Sequence, residues 1–184
     1  MDVLHITERN IYMHKKYFFF DIDGTLTDNK THKIVPSAKR TLDQLKANGH
    51  FVSIATGRAH YKAISFTEKI DIHNIVCNGG GCIVIDDQVV DLQPIPLKES
   101  IHILEQADQN HVGWLLALND DDAVIMKDYR FLETAGLRKE LTTYLYDPAL
   151  DYHTLPSIMK MYLAYTKEDE KNYPWINAVG RLRM

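Results

Sequence analysis

Asp21 and Asp23 stand two residues apart in the stretch Phe20-Asp21-Ile22-Asp23-Gly24-Thr25-Leu26-Thr27-Asp28. On an extended chain, side chains at i and i+2 face the same side. Two carboxylates placed so are a candidate metal and catalytic site. Gly24 allows a sharp turn after the pair, and Thr25 and Thr27 add hydroxyls. The same D-x-D-G pattern occurs in ordinary turns, so the pair alone does not decide. A calcium loop of the EF-hand kind is excluded. Begun at Asp21, it would place Leu26 where glycine is required and His32 where a bidentate glutamate is required.

The elements around the pair must position it. Tyr17, Phe18, Phe19 and Phe20 form an unbroken apolar run, which predicts a strand buried on both faces of a parallel sheet. In open α/β sheets ligands sit beyond the carboxyl ends of the strands, which is where Asp21 falls. Pro36 suits the first turn of a helix whose apolar face is Ala38, Leu42 and Leu45, with Asn48-Gly49 at its end. His50 to Ala55 reads as a second strand running into Thr56-Gly57-Arg58. Ala59, Ala63, Phe66 and Ile70 mark a second helix, and Asn74 to Cys77 a third strand leading into Asn78-Gly79-Gly80-Gly81. The order β-α-β-α-β predicts an α/β fold, a partial doubly wound parallel sheet with right-handed crossovers. Its three strand ends converge on one edge. The glycine run does not fit G-x-G-x-x-G, so a dinucleotide site is not expected.

From Cys82 the pattern changes to hairpins mixed with helices, which predicts a separate α+β module over residues 83–184, after a core over 15–82. Cys82 to Ile85 and Val89-Val90 read as a hairpin opening that module. Leu97, Ile101 and Leu104 mark a helix, as do Leu137, Leu141 and Leu145, weakened by Gly136. Ile158 to Tyr165 reads as a strand. Asp120, Asp121 and Asp122 read as a solvated turn. Residues 1–14 show no clear period and are expected to be a poorly ordered extension.

Composition narrows the partners. The 184 residues carry a net charge of −4 without a basic block, which argues against nucleic acid. No apolar stretch approaches the ~18 residues of a membrane span, and the N-terminus lacks the apolar segment of a signal peptide. Cys77 and Cys82 match no common zinc spacing, and the nine histidines are scattered. Reduced thiols in a cytoplasmic chain are the simplest reading.

The full string F-D-I-D-G-T-L-T-D resembles the first signature motif of the haloacid dehalogenase superfamily of phosphohydrolases. Later segments resemble its Cof-type branch, in which a large α+β cap follows the third core strand. The resemblance runs from Lys15 to the end and implies a Mg²⁺-dependent phosphatase. It gives Asp21 the role of nucleophile forming an aspartyl-phosphate, and Asp23 that of acid and base. Mg²⁺ would be held by Asp21 and by the Asp23 backbone carbonyl. Residues 27–35 would form a flap. Thr56 corresponds to the second motif, a phosphate ligand, with Gly57 and Arg58 beside it; Arg58 suits either a phosphate or a surface acid. Asn78 and Gly79 correspond to the turn near the cap hinge, or to a plain glycine-rich turn.

The family's third motif, a lysine, and its fourth, an acidic pair, have no counterpart before Met184. Lys160, Lys167 and Lys171 fall within the cap pattern and take no such role. The expectation is a truncated member. Two readings follow: a phosphatase of small phosphorylated metabolites, with phosphotransfer as a weaker variant, or a catalytically incompetent fragment with at most a binding role. Self-association through an incomplete core accompanies the second.

Overall fold

The structure, a computed structural model, describes residues 14–138 and 142–178. The first sheet grows from β1 (Tyr17–Phe20), β2 (Phe51–Ala55) and β3 (Ile75–Cys77). These run parallel, with Phe20 opposite Ile54 and Ala55 opposite Val76. The crossovers carry α1 (Pro36–Ala47) and α2 (His60–Thr67). α1 begins with Pro36 at its first position, where a missing N–H costs nothing. It buries Leu42 against Ile54, Ala63 and Ile75 in one cluster, with Ala38 and Leu45 at its rim. The Lys46 ammonium closes the far end of α1, donating to the carbonyls of Ile70 and Asp71 at 3.2 and 2.9 Å. Gly49 follows at φ +75°, a conformation that favours glycine.

Two expectations about this sheet are corrected. β1 is not buried on both faces. It is the edge of the described sheet, paired with β2 alone. Its side chains alternate, so Phe20 packs on the core while Tyr17 and Phe19 are 65% and 56% exposed. The hairpin expected to open the second module belongs to the first. β4 (Cys82–Ile85) runs antiparallel to β3 and β5 (Gln88–Leu92) antiparallel to β4, giving the order β1-β2-β3-β4-β5. A tight turn at Gly79 and Gly80, both at positive φ, folds the chain straight back onto β3. Ladder hydrogen bonds to an adjacent edge then outweigh the change of pattern that suggested a boundary at Cys82.

The second sheet follows α3 (Leu97–Gln109) and has the order β8-β7-β6-β9. Its strands are β6 (Gly113–Ala117), β7 (Ala123–Met126), β8 (Thr143–Tyr146) and β9 (Lys160–Ala164). β6 is buried throughout and feeds two cores by strict alternation. Trp114 and Leu116 pack with Leu104 and Ala107 of α3 and with Ile158. Leu115 and Ala117 pack on the opposite face with Phe131 of α4 (Arg130–Ala135). Asp108 ties the layers, accepting from Trp114 Nε1 at 3.0 Å and from Arg130 Nη2 at 2.8 Å. Two short helices, α5 (Lys167–Asn172) and α6 (Pro174–Ala178), complete the described chain.

The helix expected over Leu137, Leu141 and Leu145 is not found where it can be judged. α4 lies earlier and stops at Gly136, at φ +72°. Leu145 belongs to β8, where the β-prone run Thr143-Tyr144-Leu145-Tyr146 pairs in parallel with β7. Leu141 lies outside the described residues, as does the expected extension at 1–14 apart from His14. Among the described residues no helix is long and apolar enough to cross a membrane.

Candidate active site

The loop after β1 is built on Ile22. Alternation sends this side chain, fully buried, into the core and leaves Asp21 and Asp23 exposed on either side of it. The Ile22 carbonyl accepts from the backbone N–H groups of Leu26 and Thr27 at 3.1 and 3.0 Å. The Thr27 hydroxyl adds a further anchor, donating to the same oxygen at 3.0 Å. Thr27 is therefore a buried brace. Gly24 turns at φ +78°, where an added Cβ would meet Asn29 Oδ1 at 3.0 Å. Short bridges from Thr27 to Asp23 and to Ile34 form a small flap beside the acids.

The parallel register brings the next two strand ends alongside. Thr56 follows β2 and is buried, its N–H on the Val76 carbonyl at 2.8 Å and its hydroxyl accepting from the Arg58 N–H at 3.2 Å. Arg58 reaches back across the sheet edge to Asp23. Its Nε lies 2.9 Å from Oδ2 and its Nη2 2.6 Å from Oδ1, a two-pronged pair. The loop after β3 locks the arrangement. The Asn78 N–H donates to the Arg58 carbonyl at 2.8 Å and the Gly79 N–H to the Thr56 carbonyl at 3.3 Å. Asn78 holds φ +53°, a left-handed conformation that asparagine tolerates. All three loops thus meet at the carboxyl end of one parallel sheet.

Two residues from the second sheet join this edge, and sequence reasoning missed both. Lys160 opens β9, and its ammonium donates to the Gly57 carbonyl at 3.1 Å. Asp120, in the turn between β6 and β7, reaches α2. It accepts the Tyr61 N–H at 3.2 Å, and its other oxygen lies 2.7 Å from His60 Nδ1. Asp121 accepts from the Ala123 N–H within its own turn, and Asp122 accepts from the Thr143 hydroxyl at the start of β8. The expected solvated turn is corrected for Asp120, which is largely covered because it caps a helix start across the interface. No spacing rule links positions 57 and 160. Only the fold supplies that signal.

Charge is unevenly tuned here. The Arg58 hydrogen bonds hold the Asp23 carboxyl below the usual carboxylate range. Burial, then Arg138 and Lys160, push the Lys62 ammonium down to about 8. Among the described residues no three His, Cys, Asp or Glu side chains converge as a metal cluster. The loop still offers hard oxygens. The Asp21 carboxylate makes no hydrogen bond or ion pair among the described residues, and the Asp23 backbone carbonyl lies two residues on. That donor chemistry fits Mg²⁺, which takes one or two carboxylates and keeps several waters.

Residues 18–174 match the family of haloacid dehalogenase-like hydrolases. A parallel sheet carrying an acidic loop, with an α+β unit set over its edge, defines the same class. The chain belongs to the haloacid dehalogenase-like hydrolases. It is 32% identical over 162 residues to YkrA of Bacillus subtilis, provisionally named a phosphatase, covering 88% of this chain and 62% of that protein. A hypothetical protein from Geobacillus kaustophilus superposes with a TM-score of 0.68 at 25% identity, over 92% of this chain and 66% of the other. BT1666 of Bacteroides thetaiotaomicron, described among phosphatases of the superfamily, shares the fold at a TM-score of 0.72 and 21% identity, over 97% and 66%. The chain therefore spans less than two thirds of the length of these relatives.

Proposed function

We propose that this chain carries the nucleophile loop and cap of a Mg²⁺-dependent phosphatase acting on small phosphorylated metabolites in the cytoplasm. One observation carries the reading. The loops at Asp21, Thr56 and Asn78 meet at one sheet edge, and the Arg58–Asp23 pair joins the first two. Net charge of −4 disfavours nucleic acid and anionic membranes as partners. The free thiols of Cys77 and Cys82, which face each other across β3 and β4, support the cytoplasmic reading.

In this reading the Asp21 carboxylate attacks phosphorus. The bond to the leaving oxygen breaks as the aspartyl-phosphate forms, splitting hydrolysis into two steps. Mg²⁺, held by Asp21 and the Asp23 carbonyl, would offset the repulsion between carboxylate and phosphate. Thr56, Gly57 and Arg58, with the backbone N–H groups of Ile22 to Gly24, suit the phosphoryl oxygens. Asp23 must carry a proton to give to the leaving oxygen, and it recovers one from water in the second step. A phosphate that draws Arg58 away removes the partner that keeps Asp23 ionised, so substrate binding itself favours the protonated acid. Asn78 and Gly79 hold the phosphate loop from behind and mark the turn out of the parallel strands.

The same ion pair favours a second reading, ligand binding without turnover. Asp23 locked on Arg58 is in the wrong protonation state for a general acid. Hydrolysis of p-nitrophenyl phosphate separates the two. Phosphatase function predicts turnover that requires Mg²⁺ and falls at least about 10²-fold in Asp21→Asn. Phosphate binding that depends on Thr56, with no turnover in any metal, would establish binding alone.

A further inference from the structure

α2 starts directly after the loop Thr56-Gly57-Arg58, and its own chain does not cap it. The residue before its first turn is Ala59, at φ −61° and ψ 152°. That extended backbone is what a capping residue adopts, but an alanine side chain has no oxygen to accept a first-turn N–H. The Lys62 and Ala63 N–H groups both reach the Ala59 carbonyl, at 3.1 and 3.0 Å. The Tyr61 N–H has no helix carbonyl before it and is one of the donors that every helix start leaves over.

Asp120 supplies the missing oxygen from the second sheet. Its Oδ1 accepts the Tyr61 N–H at 3.2 Å, and its Oδ2 lies 2.7 Å from His60 Nδ1. A carboxylate at a helix start also suits the helix dipole. Both side chains are largely covered, and His60 Nε2 is buried without a hydrogen-bond partner among the described residues. The ring therefore spends its polar contact on Asp120. The second sheet touches the loop once more, where the Lys160 ammonium donates to the Gly57 carbonyl at 3.1 Å. Arg58 lies between these two contacts. Asn78 and Gly79 hold the Arg58 and Thr56 carbonyls from the first sheet, whereas the start of α2 rests on the second.

We infer that Asp120 is a positioning residue of the phosphate loop. It is a helix cap supplied from the second sheet, and it makes the order of Thr56 to Arg58 depend on that sheet being docked. The inference rests on the phosphomonoester site proposed above. Asp120 acts through α2 and not on the phosphate. With the cap in place, the first turn of α2 and the Arg58 that precedes it stay fixed. Without it the turn frays, and a phosphate meets a loop that is competent for only part of the time. By linkage the effect is reciprocal, so phosphate on the loop favours the docked second sheet.

Amide hydrogen exchange at Tyr61 and calorimetric titration with inorganic phosphate in Mg²⁺ test it together. Asp120→Ala should speed exchange of the Tyr61 N–H and weaken phosphate binding about fivefold, the equilibrium worth of one helix cap. Asp120→Asn keeps an oxygen in place and should hold both readouts within about twofold of the unchanged protein. Ala59→Ser offers a capping hydroxyl from α2's own chain, and added to Asp120→Ala it should restore both. Readouts unmoved by Asp120→Ala overturn the inference. So does an equal loss in Asp120→Asn, which assigns the effect to charge, or a loss that Ala59→Ser does not restore. Should Asp120→Ala not fold, the double variant decides: a folded protein of near-normal affinity supports the cap, and an unfolded one overturns it. Failure of the unchanged protein to bind phosphate sinks the phosphomonoester site itself, and the coupling with it.

Discussion

Ile22 explains why two exposed acids are held so firmly. Its side chain is fully buried and its carbonyl anchors the following turn, so Asp21 and Asp23 cannot drift independently. That both acids follow a strand and share a side was legible in sequence, from D-x-D-G after an apolar run; the burial of Ile22 between them was not. The partner of Asp23 was only half legible. Arg58 suited a phosphate or an acid on sequence, and the fold places it on an acid 35 residues away. Lys160 was invisible, since its contact spans 103 positions. The ion pair carries a prediction. The Asp23 carboxyl should titrate below the usual range by NMR, and Arg58→Ala should return it upward. Its folded value lies below the unfolded one. Ionised Asp23 therefore favours folding above about pH 4, and this contribution fades as pH falls through the folded value. Exposure keeps the effect small. An Asp23 titration that ignores Arg58→Ala would show that the pair does not persist in solution.

At the level of elements, helices and strands with clean periods were readable, and their partners were not. The segment Cys82 to Val90 was recognised as a hairpin, yet sheet membership depends on which edge is nearby, and no local pattern records that. Gly136 was noticed as a weakness inside a helix. It is instead the end of α4, and β8 begins beyond it. Gly113 drew no attention in sequence. A Cβ there would run into the Phe131 backbone nitrogen, so β6 and α4 meet backbone to backbone. Gly113→Ala should force the layers apart and lower stability by at least about 2 kcal/mol in urea unfolding. A loss below about 0.5 kcal/mol, the size of a neutral surface change, would contradict that contact.

Across the whole molecule, the two sheets meet at the edge that carries the candidate site, through Lys160–Gly57 and Asp120–His60. One face of β1, the edge strand of the described sheet, is apolar. Tyr17 and Phe19 on the edge strand are exposed, and both rings lie against Phe51. An open strand edge beside aromatic surface invites pairing. Sedimentation should show concentration-dependent association that Phe19→Glu reduces; a monomer at all concentrations would contradict this. The central claim remains covalent chemistry at Asp21, and one measurement addresses it directly. The chain is mixed with a radiolabelled phosphomonoester and Mg²⁺, quenched in acid and mapped by peptide. The account predicts label on the peptide containing Asp21, absent without Mg²⁺ and absent in Asp21→Asn. Label on another residue, or label that survives Asp21→Asn, would contradict it.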